Sequence, residues 1–499
     1  MAGKAAPSGN EGLNMRCRLD ELLPWVVCPA IEVGGLCDVS HAVRPGEVFI
    51  ALSGTRCHGA EFVREAQTRG AVAIVYDPAE TALPPALSLP AIAVPRLKER
   101  LGEIAARFYD FPTREMEVIG VTGTNGKTSC SVFLAQALGG GVMGTLGWGR
   151  LEALYPTFHT TAPALETQKR LATLKRLGIQ RLAMEVSSHA LAQGRVNGVE
   201  FSLALWTNLS RDHLDYHGSF EAYLKAKRKL FSWPSLKAVV LNLDDPAWPN
   251  FLEAVASEVR VVGFSTRELN SSPVPYVAAS RVRYHPQGME YTALWGKQRA
   301  EVKVPLLGEA NLANVQAVLA CLLARGEELE AAAKVLAALT PVPGRMECFR
   351  APGRPLVVVD YAHTPAALEL ALRSLRRFCR GRLWVVFGCG GERDRGKRPL
   401  MGRIAERLAD RVILTDDNPR GESPAAIIAD IRAGMKSCPP VLHERREAIA
   451  AALTSASPED IVLVAGKGHE DYQEIQGERL PFSDRALVAE LLQEGKACA

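Results

Sequence analysis

The sequence predicts an α/β protein of three domains. Its 499 residues suit that number, because one domain takes roughly 100–200 residues. Short apolar runs of strand length alternate with helical patterns along most of the chain, which favours βαβ units and parallel sheets. Two segments rich in turn-forming residues, 110–114 (DFPTR) and 340–345 (TPVPGR), interrupt these patterns. We therefore predict domains at residues 1–114, 115–343 and 344–499.

The N-terminal domain is predicted to be a small α/β unit, with strands at 47–52 and 71–76 and a helix at 59–69. The central domain opens with a strand at 116–122, a glycine-rich turn and a helix at 128–138. Further strands of the central and C-terminal domains are predicted at 181–186, 202–207, 238–242, 260–264, 356–360, 383–388, 411–415 and 460–465. In doubly wound sheets ligands bind beyond the carboxyl ends of the strands, and most motifs below fall there.

The composition is that of an ordinary globular protein, with 47% hydrophobic and 23% charged residues. A net charge of +4 neither requires nor excludes nucleic acid, and no apolar run approaches the roughly 18 residues that span a bilayer. The 11 cysteines include no C-x-x-C pair, which fits a reducing compartment. The polar first dozen residues show no signal peptide. We expect a cytoplasmic protein acting on small molecules, with no nucleic-acid partner and no membrane insertion, and we favour a monomer.

A phosphate-binding loop is predicted at residues 120–128 (GVTGTNGKT), between a strand and a helix. Backbone N–H groups of such a turn, together with the helix dipole, bind phosphates. Lys127 would neutralise the β- and γ-phosphates, and Thr128 is a possible Mg²⁺ ligand. The strict pattern G-x-x-x-x-G-K-[ST] requires glycine at position 121 and finds Val121. The alternative is a glycine-rich turn without a ligand.

The remaining pattern, GTNGKT, resembles the phosphate loop of the Mur ligases and of their relative folylpolyglutamate synthetase. Eight further segments occur in the order typical of Mur ligases: MEVSSHAL (184–191), TNLSRDHLDYHG (207–218), GEANLANV (308–315), GRME (344–347), DYAHTP (360–365), GCGGERDRGKRP (388–399), DDNPR (416–420) and AGKGHEDYQ (465–473). The resemblance implies a small N-terminal α/β UDP-binding domain, a central P-loop-type parallel-sheet ATPase domain and a C-terminal Rossmann-like domain that binds an amino acid.

The resemblance also implies the reaction. A carboxylate of UDP-N-acetylmuramoyl-L-alanyl-D-glutamate attacks the γ-phosphate of ATP, and an amine then displaces phosphate from the acyl phosphate. This ATP-dependent amide ligation is a step in peptidoglycan precursor synthesis and requires Mg²⁺. Folylpolyglutamate synthetase would lack both the DNPR segment and the UDP domain. A non-catalytic Mur-like scaffold would be expected to have lost the catalytic residues expected here, which are Lys127, Glu185, His213 and Lys227, and all four are present.

The ATP site implied by the family comprises Gly123, Thr124, Asn125, Gly126, Lys127, Thr128, Asn311, Arg345 and Asp360. For Asn311 the alternative is helix capping. Asp360 ends a predicted strand, and its carboxylate is expected to accept hydrogen bonds from the ribose hydroxyls. His363 is a weaker candidate in the same loop.

Lys227 is the most informative single residue of the predicted metal site. Residues 219–231 have the pattern of an amphipathic helix with Ser219 as its N-cap. Lys227 falls within the apolar stripe, whereas Lys225 and Lys229 fall on the other side. Burial favours the neutral amine, the form that takes up CO₂. The resemblance implies a carbamate here (N6-carboxylysine) and a Mg²⁺ site formed by Thr128, Glu185, His213 and the carbamylated Lys227.

The UDP-linked substrate is expected at residues matched to family positions: Ser40, Thr160, Thr161, Ser187, Gln193 and Arg195. Hydroxyl and guanidinium donors suit diphosphate and carboxylate groups. Ser40 is the candidate uracil contact, although the usual D-S-R of the family is V-S-H at 39–41 in this chain.

The DNPR segment at 417–420 resembles that of the Mur ligases that add meso-diaminopimelate, and the resemblance implies this amino acid as the substrate. Diaminopimelate has a second carboxylate at its far end, to which Arg420 can pair, while Asp417 or Glu470 can meet the far ammonium. The alternatives are L-lysine or L-ornithine as substrate. The full predicted diaminopimelate site is Arg393, Asp417, Asn418, Pro419, Arg420, Gly466 and Glu470.

Overall fold

The computed structural model describes residues 15–54, 57–84, 87–285 and 287–494. The polar N-terminal segment on which the signal-peptide prediction rests lies outside these residues. No helix in the described ranges is long and apolar enough to cross a membrane.

The described N-terminal residues form a four-stranded parallel sheet in the order Gly35–Cys37, Glu47–Ala51, Ala73–Tyr76 and Ala91–Ala93. Both predicted strands belong to it. The strand pair Cys17–Arg18 and Glu32–Val33 is separate and antiparallel. The helices are Leu19–Leu22, Val63–Thr68 and Leu97–Phe108, with 3₁₀ turns at Ser40–Ala42 and Gly59–Phe62. The predicted helix at 59–69 is therefore a 3₁₀ turn followed by a short α-helix.

The central residues form a mixed sheet of eleven strands within the described ranges. In spatial order the strands are Ala153–Tyr155, Gly147–Arg150, Gly141–Gly144, Arg181–Glu185, Glu117–Thr122, Leu203–Trp206, Ala238–Asn242, Arg260–Ser265, Tyr276–His285, Gly288–Trp295 and Gln298–Val304. Its middle strands are parallel, as predicted.

Antiparallel strands that the sequence did not predict extend this parallel sheet at both ends. The strands between 141 and 155 turn back on each other antiparallel, and the last three strands form an antiparallel meander. Along Gln298–Val304 buried and exposed residues largely alternate, the pattern of a sheet with one solvated face. Sequence reasoning searched for continuous apolar runs, which identify strands buried on both faces, and so missed these.

The helices of the central region lie mainly between its parallel strands. They are Lys127–Leu138, Ala164–Arg176, Ser188–Ala192, Leu214–His217, Phe220–Arg228, Trp248–Leu252, Glu309–Ala324 and Leu329–Leu336. Short 3₁₀ segments occur at Pro112–Glu115, which overlaps the predicted first linker, and at Lys229–Ser232.

The described C-terminal residues form a five-stranded sheet in the order Glu347–Phe349, Leu356–Asp360, Ile461–Ala465, Leu383–Phe387 and Arg411–Leu414. The first strand is antiparallel and the other pairs are parallel, so the doubly wound prediction is confirmed. The helices are Pro365–Arg376, Lys397–Leu408, Pro424–Arg432, Arg445–Ser455 and Asp484–Glu494. An unpredicted hairpin pairs Tyr472–Ile475 with Glu478–Pro481.

The N-terminal and central regions are joined by close packing. Helix Leu97–Phe108 packs on helix Ala164–Arg176, and Ala164 and Ala172 belong to the N-terminal apolar cluster. Gly102 faces the backbone of Asn197 so closely that a Cβ would lie 2.0 Å from the Asn197 carbonyl oxygen. A side chain at position 102 would therefore push the two regions apart.

Polar contacts join the central region to the C-terminal sheet. Arg211 Nε lies 3.1 Å from Asp394 Oδ2, and Arg345 Nη2 donates to Thr128 Oγ1 at 3.2 Å. The Glu309 backbone N–H donates to Ser374 Oγ at 3.1 Å. The cavity described next lies at this junction.

Candidate active site

A cavity of about 760 Å³ lies between the central and C-terminal regions. It opens beyond the carboxyl ends of the central parallel strands, where ligands of doubly wound sheets bind. Its lining includes Thr124–Ser129 of the predicted phosphate loop and Asp360–His363 from the C-terminal sheet. The tertiary structure thus brings together motifs that are more than 200 positions apart.

The phosphate loop owes its shape to two glycines with positive φ. Gly123 has φ 148° and Gly126 has φ 85°, in a region that side chains strongly disfavour. The Asn125 backbone N–H donates to Asn208 Oδ1 at 3.0 Å, and Thr207 Oγ1 donates to the Asn125 carbonyl at 2.6 Å. These bonds fix the loop from the neighbouring strand's end. Helix Lys127–Leu138 begins directly after it, so its N-terminus faces the cavity.

Lys127 closes the loop from inside. Its Nζ donates to the carbonyl oxygens of Gly123 and Thr124, each at 2.9 Å. Burial lowers the pKa of Lys127, while the charges of Glu185 and Asp212 act in the opposite direction. A ligand phosphate would supply the counter-charge that this ammonium lacks.

Lys227 is 1% exposed, whereas Lys225 and Lys229 of the same segment are exposed, as the helical pattern predicted. Its Nζ donates to the Gly123 carbonyl oxygen at 2.7 Å. Burial, and then the charge of Lys127, lower the pKa of Lys227 well below its usual value.

The helix that carries Lys227 differs from the prediction in two details. Ser219 is its N-cap, accepting from the Ala222 N–H at 3.1 Å, as expected. The α-helix ends at Arg228 and continues as a 3₁₀ turn. Phe220, the first residue of the helix, is 43% exposed although it is apolar.

Glu185 is buried and accepts three hydrogen bonds. They come from Thr128 Oγ1 at 3.1 Å, from the Thr145 backbone N–H at 2.8 Å and from Thr145 Oγ1 at 3.1 Å. Thr145 was not predicted, since a threonine in a glycine-containing turn has no sequence signal of its own. The adjoining oxygens of Thr128 and Glu185 suit Mg²⁺, which prefers oxygen ligands.

His213 adopts φ 53° at the start of a short helix, and its Nε2 lies 3.4 Å from Asp212 Oδ2. Burial lowers the pKa of His213, which keeps the imidazole neutral and able to ligate a metal. Among the described residues no three His, Cys, Asp or Glu side chains are placed to hold a metal ion by themselves. A Mg²⁺ site here therefore needs further oxygens, such as those of phosphates or of a carbamate on Lys227.

The residues expected near the nucleoside also line the cavity. Asn311 Nδ2 donates to the Leu307 carbonyl oxygen at 2.9 Å. Helix Glu309–Ala324 has Gly308 as its N-cap, so the capping alternative for Asn311 was wrong. Asp360 Oδ2 accepts from the Met346 N–H at 2.7 Å, and burial raises the pKa of Asp360. The Arg345 guanidinium stacks 4.1 Å from the Tyr361 ring centre.

Four of the six residues predicted for the UDP-linked substrate line the cavity: Thr160, Thr161, Ser187 and Arg195. Thr161 Oγ1 donates to the Glu185 carbonyl at 2.8 Å, and Arg195 Nη1 donates to the Thr161 carbonyl at 2.9 Å. Gln193 is exposed and does not line the cavity, but it accepts from Arg195 Nε at 2.8 Å. Ser40 lies in the N-terminal region and does not line the cavity.

Of the predicted diaminopimelate residues, Arg393 lines the cavity and the others form a polar cluster beyond it. Arg420 Nη1 donates to the Gly391 carbonyl at 2.7 Å, and Arg420 Nε lies 3.3 Å from Glu474 Oε2. A Cβ built on Gly390 would lie 2.9 Å from Arg420 Nη1 and 3.8 Å from Arg393 Cγ. The cluster therefore adjoins the cavity through Arg393.

Two members of this cluster were missed by sequence reasoning. Lys467 Nζ donates to Asn418 Oδ1 at 2.9 Å and to Glu470 Oε2 at 3.1 Å. Lys467 belongs to the AGKGHEDYQ motif, and this membership could have identified it from the sequence. Glu474 follows the motif directly, and no sequence feature identifies it.

Comparison with known proteins identifies the family. Three segments match Mur ligase profiles: 35–109 the catalytic domain, 121–322 the middle domain and 344–468 the glutamate ligase domain. A protein of Alkalilimnicola ehrlichii named UDP-N-acetylmuramoyl-L-alanyl-D-glutamate–2,6-diaminopimelate ligase is 49% identical over 96% of this chain and 99% of its own. The chain belongs to the Mur ligase family. The identically named protein of Pseudomonas aeruginosa is 49% identical to this Mur ligase over 90% of the chain and 94% of its own.

A solved structure of a 2,6-diaminopimelate ligase superposes on this Mur ligase with a TM-score of 0.71 at 36% identity, covering 97% of this chain and 100% of the other. The predicted three-part α/β fold is thereby confirmed. The Mur ligase is an ATP-dependent amide ligase of peptidoglycan synthesis, as the resemblance implied, and the scaffold alternative is not favoured.

Proposed function

We propose that this Mur ligase joins meso-2,6-diaminopimelate to UDP-N-acetylmuramoyl-L-alanyl-D-glutamate with ATP as co-substrate. Relatives that are 45–49% identical are named UDP-N-acetylmuramoyl-L-alanyl-D-glutamate–2,6-diaminopimelate ligase, and this name does not specify the meso form. The observation that carries the specificity is Arg420, whose guanidinium is held in the DNPR loop by the Gly391 carbonyl and keeps donors for a ligand carboxylate. A guanidinium binds a carboxylate through two parallel hydrogen bonds. L-lysine and L-ornithine have no second carboxylate and so cannot form this contact with Arg420.

Positively charged side chains of this protein can lower the electrostatic barrier to formation of the acyl phosphate. The substrate carboxylate and the γ-phosphate repel each other, and Lys127, Arg195 and Arg345 line the cavity with positive charge. Such fixed charges stabilise a transition state without reorganising during the reaction. Arg345 reaches the phosphate loop from the C-terminal region through its bond to Thr128 Oγ1, so it acts only when that region is close.

Mg²⁺ is the proposed cofactor. Thr128, Glu185 and His213 would hold it together with a carbamate on Lys227, and bound Mg²⁺ would neutralise phosphate charge. The buried Lys227 amine supports the modification, since a buried neutral amine is the reactive form. Gly123 to Thr128, Asn311, Arg345 and Asp360 are proposed as the ATP site, and Ser40, Thr160, Thr161, Ser187, Gln193 and Arg195 as the UDP-substrate site.

We retain as proposals the boundaries after residues 114 and 343, a cytoplasmic location and a monomer. The matched segments end at 109 and begin at 344 near those boundaries. The described cysteines are all free, which supports a reducing compartment.

The experiment measures phosphate release from ATP with UDP-N-acetylmuramoyl-L-alanyl-D-glutamate and each of three amino acids: meso-diaminopimelate, L-lysine and L-ornithine. Turnover with meso-diaminopimelate alone is expected. Turnover with L-lysine or L-ornithine would contradict the specificity and leave the ligase chemistry standing. No turnover with any of the three would favour a scaffold.

A further inference from the structure

The turn of the antiparallel hairpin formed by strands Gly141–Gly144 and Gly147–Arg150 lies against the predicted metal ligand Glu185. Strand Gly141–Gly144 pairs in parallel with Arg181–Glu185, so both strands end at the edge of the sheet that faces the cavity. The chain then turns back, and Thr145 is the first residue of the turn. Thr145 therefore lines the cavity beside the side chain of Glu185.

Gly144 shows how closely this turn approaches the carboxylate. A Cβ on Gly144 would lie 2.2 Å from Glu185 Oε1 and 2.6 Å from Glu185 Cδ, which is far inside van der Waals contact. The backbone before Thr145 therefore packs directly on the carboxylate, and any side chain at position 144 would displace it.

Thr145 holds both oxygens of the Glu185 carboxylate. Its backbone N–H donates to Oε1 at 2.8 Å, and its hydroxyl donates to Oε2 at 3.1 Å. The terminal torsion of a glutamate side chain is broad and roughly two-fold when nothing restrains it. Two hydrogen bonds from one residue to the two oxygens fix the plane of the carboxylate. Glu185 is thereby held in one orientation.

The hydrogen bonds of Glu185 do not balance its negative charge. The residue is 1% exposed, and its donors are the Thr145 N–H and the hydroxyls of Thr145 and Thr128, which are all neutral. Burying a carboxylate without a counter-charge is costly. A cation in the cavity would offset this cost, and a carboxylate that is already oriented loses less freedom when it binds one.

The Thr145 hydroxyl also connects Glu185 to the loop expected to bind the UDP-linked substrate. Thr145 Oγ1 lies 3.1 Å from Thr160 Oγ1. A hydroxyl has one proton, and the proton of Thr145 is directed at Glu185, so Thr160 is the donor in this contact. The same loop is joined to residue 185 a second time, because Thr161 Oγ1 donates to the Glu185 carbonyl oxygen at 2.8 Å. A ligand anion that takes the Thr160 proton therefore changes the hydrogen bonding of Thr145.

We infer that Thr145 is a positioning residue that orients Glu185 for Mg²⁺ and links this ligand to the substrate loop through Thr160. The inference rests on the proposed function, from which Mg²⁺ as cofactor and Thr160 as a residue of the UDP-substrate site are taken. The role of the hairpin that the sequence did not predict is then to present two donors to a metal ligand.

The test measures the binding of Mn²⁺, a paramagnetic probe for the Mg²⁺ site, from the EPR signal of free Mn²⁺ in the absence of nucleotide. Thr145→Val removes the hydroxyl and keeps both the shape of the side chain and the backbone N–H. We expect Mn²⁺ affinity to fall about tenfold, because losing a residue that orients a metal ligand costs roughly 10–100-fold in affinity. Thr145→Ser keeps the hydroxyl and should stay within about threefold of the wild type.

Thr292→Val is the matched control. Thr292 Oγ1 also donates to a glutamate carboxylate, Glu301 Oε1 at 2.8 Å, but this pair joins two antiparallel strands outside the cavity. The control should leave Mn²⁺ affinity unchanged. In Thr145→Val, ADP affinity measured by calorimetry in EDTA should stay within about threefold of the wild type, which shows that the phosphate loop is intact. If Thr145→Val does not fold, Thr145→Ala removes the same hydroxyl and takes its place.

The link through Thr160 predicts a second result. Calorimetry of UDP-N-acetylmuramoyl-L-alanyl-D-glutamate with and without Mg²⁺ gives the factor by which the metal tightens substrate binding, and linkage requires the same factor for the effect of the substrate on the metal. We expect this factor to be at least about threefold smaller in Thr145→Val than in the wild type, because the side-chain connection between Thr160 and Glu185 is lost.

Equal Mn²⁺ affinities of the wild type and Thr145→Val would overturn the inference. An equal loss in Thr145→Val and Thr145→Ser would overturn it as well, because the hydroxyl would then not be responsible. An unchanged coupling factor would overturn the link to the substrate loop. Failure of the proposed function is a separate outcome: turnover with L-lysine and not with meso-diaminopimelate would contradict the proposed substrate and leave the Mn²⁺ result standing.

Discussion

The ammonium groups of Lys127 and Lys227 donate to the same acceptor, the carbonyl oxygen of Gly123, at 2.9 and 2.7 Å. Burial, and then repulsion from the charge of Lys127 across this shared carbonyl, lower the pKa of Lys227 well below its usual value. The Lys227 amine is therefore suited to chemistry that requires a neutral amine, whereas burial lowers the pKa of Lys127 against the opposing charges of Glu185 and Asp212. The sequence placed these lysines 100 positions apart.

The first prediction concerns Lys227. Lys227→Ala should lower turnover at least about 100-fold, the scale seen when one charge-stabilising group is lost. Wild-type enzyme supplied with ¹³C-bicarbonate should show a carbamate carbon signal by NMR that the variant lacks. Lys225→Ala, on the exposed side of the same helix, is the control and should keep both. Full activity of Lys227→Ala would refute the carbamate.

The second prediction concerns Gly126 of the phosphate loop. At φ 85°, an added Cβ would lie 2.6 Å from Asn314 Oδ1. We expect Gly126→Ala to weaken ADP binding at least tenfold by calorimetry and to cost about 1–3 kcal/mol of unfolding free energy from backbone strain. Gly139→Ala is the matched control, since Gly139 also has positive φ, 58°, but faces open space. It should lose about 1 kcal/mol of stability with ADP affinity unchanged. Equal ADP affinities in both variants would show that the loop does not bind nucleotide.

The third prediction concerns the contact between Arg211 and Asp394, which joins the His213 loop to the loop of Arg393. Arg211→Gln should raise KM for the diamino acid about threefold, because closure loses an ion pair worth roughly 0.2–1 kcal/mol. Asp394 also accepts from the Gly396 N–H at 2.9 Å, so Asp394→Asn tests the pair less cleanly. In the double variant the two effects should be less than additive.

Arg395→Gln is the control for this cycle. Arg395 lies in the same loop and pairs with Asp430 within the C-terminal region. It should leave KM for the diamino acid unchanged. Strict additivity of the Arg211 and Asp394 effects would mean that the ion pair does not contribute to closure.

The fourth prediction is a pH dependence of stability from His469. Burial, followed by the charges of Arg345, Arg485 and Lys467, lowers the pKa of His469 to about 3 from 6.5. The unfolded chain then binds more protons than the folded one between these values, so stability is fully present above pH 6.5 and is lost as the pH falls towards 3. At pH 5.5 the loss should be about 1 kcal/mol. The free energy of unfolding, measured by urea denaturation, should fall between pH 7.5 and pH 5.5 by about 1 kcal/mol less in His469→Gln than in the wild type. Identical drops in both proteins would rule out this contribution.

The fold was predictable where burial leaves a sequence signal. Strands Ala238–Asn242 and Leu356–Asp360 appear at the predicted positions, because parallel strands covered on both faces are continuous apolar runs. The strands of 141–155 and the meander ending at Val304 were not predicted, because glycines or alternating polar residues interrupt their apolar runs.

The candidate site was predictable to the extent that its residues lie in motifs. Thr128, Glu185 and Arg345 were named from sequence and line one cavity. Thr145 and Glu474 were missed because their importance depends on what faces them: the carboxylate of Glu185 in one case and the guanidinium of Arg420 in the other.

The sequence by itself determined the α/β class, the phosphate loop, the family and the inward-facing lysine, because backbone periodicity and local spacing carry that information. Only the tertiary structure decided which charge meets which. It paired Lys467 with Glu470, Arg445 with Asp484 and Arg420 with Glu474. The reason is that an ion pair is defined by distance and burial in three dimensions, and residues far apart in the chain become neighbours only when the sheets and loops have packed.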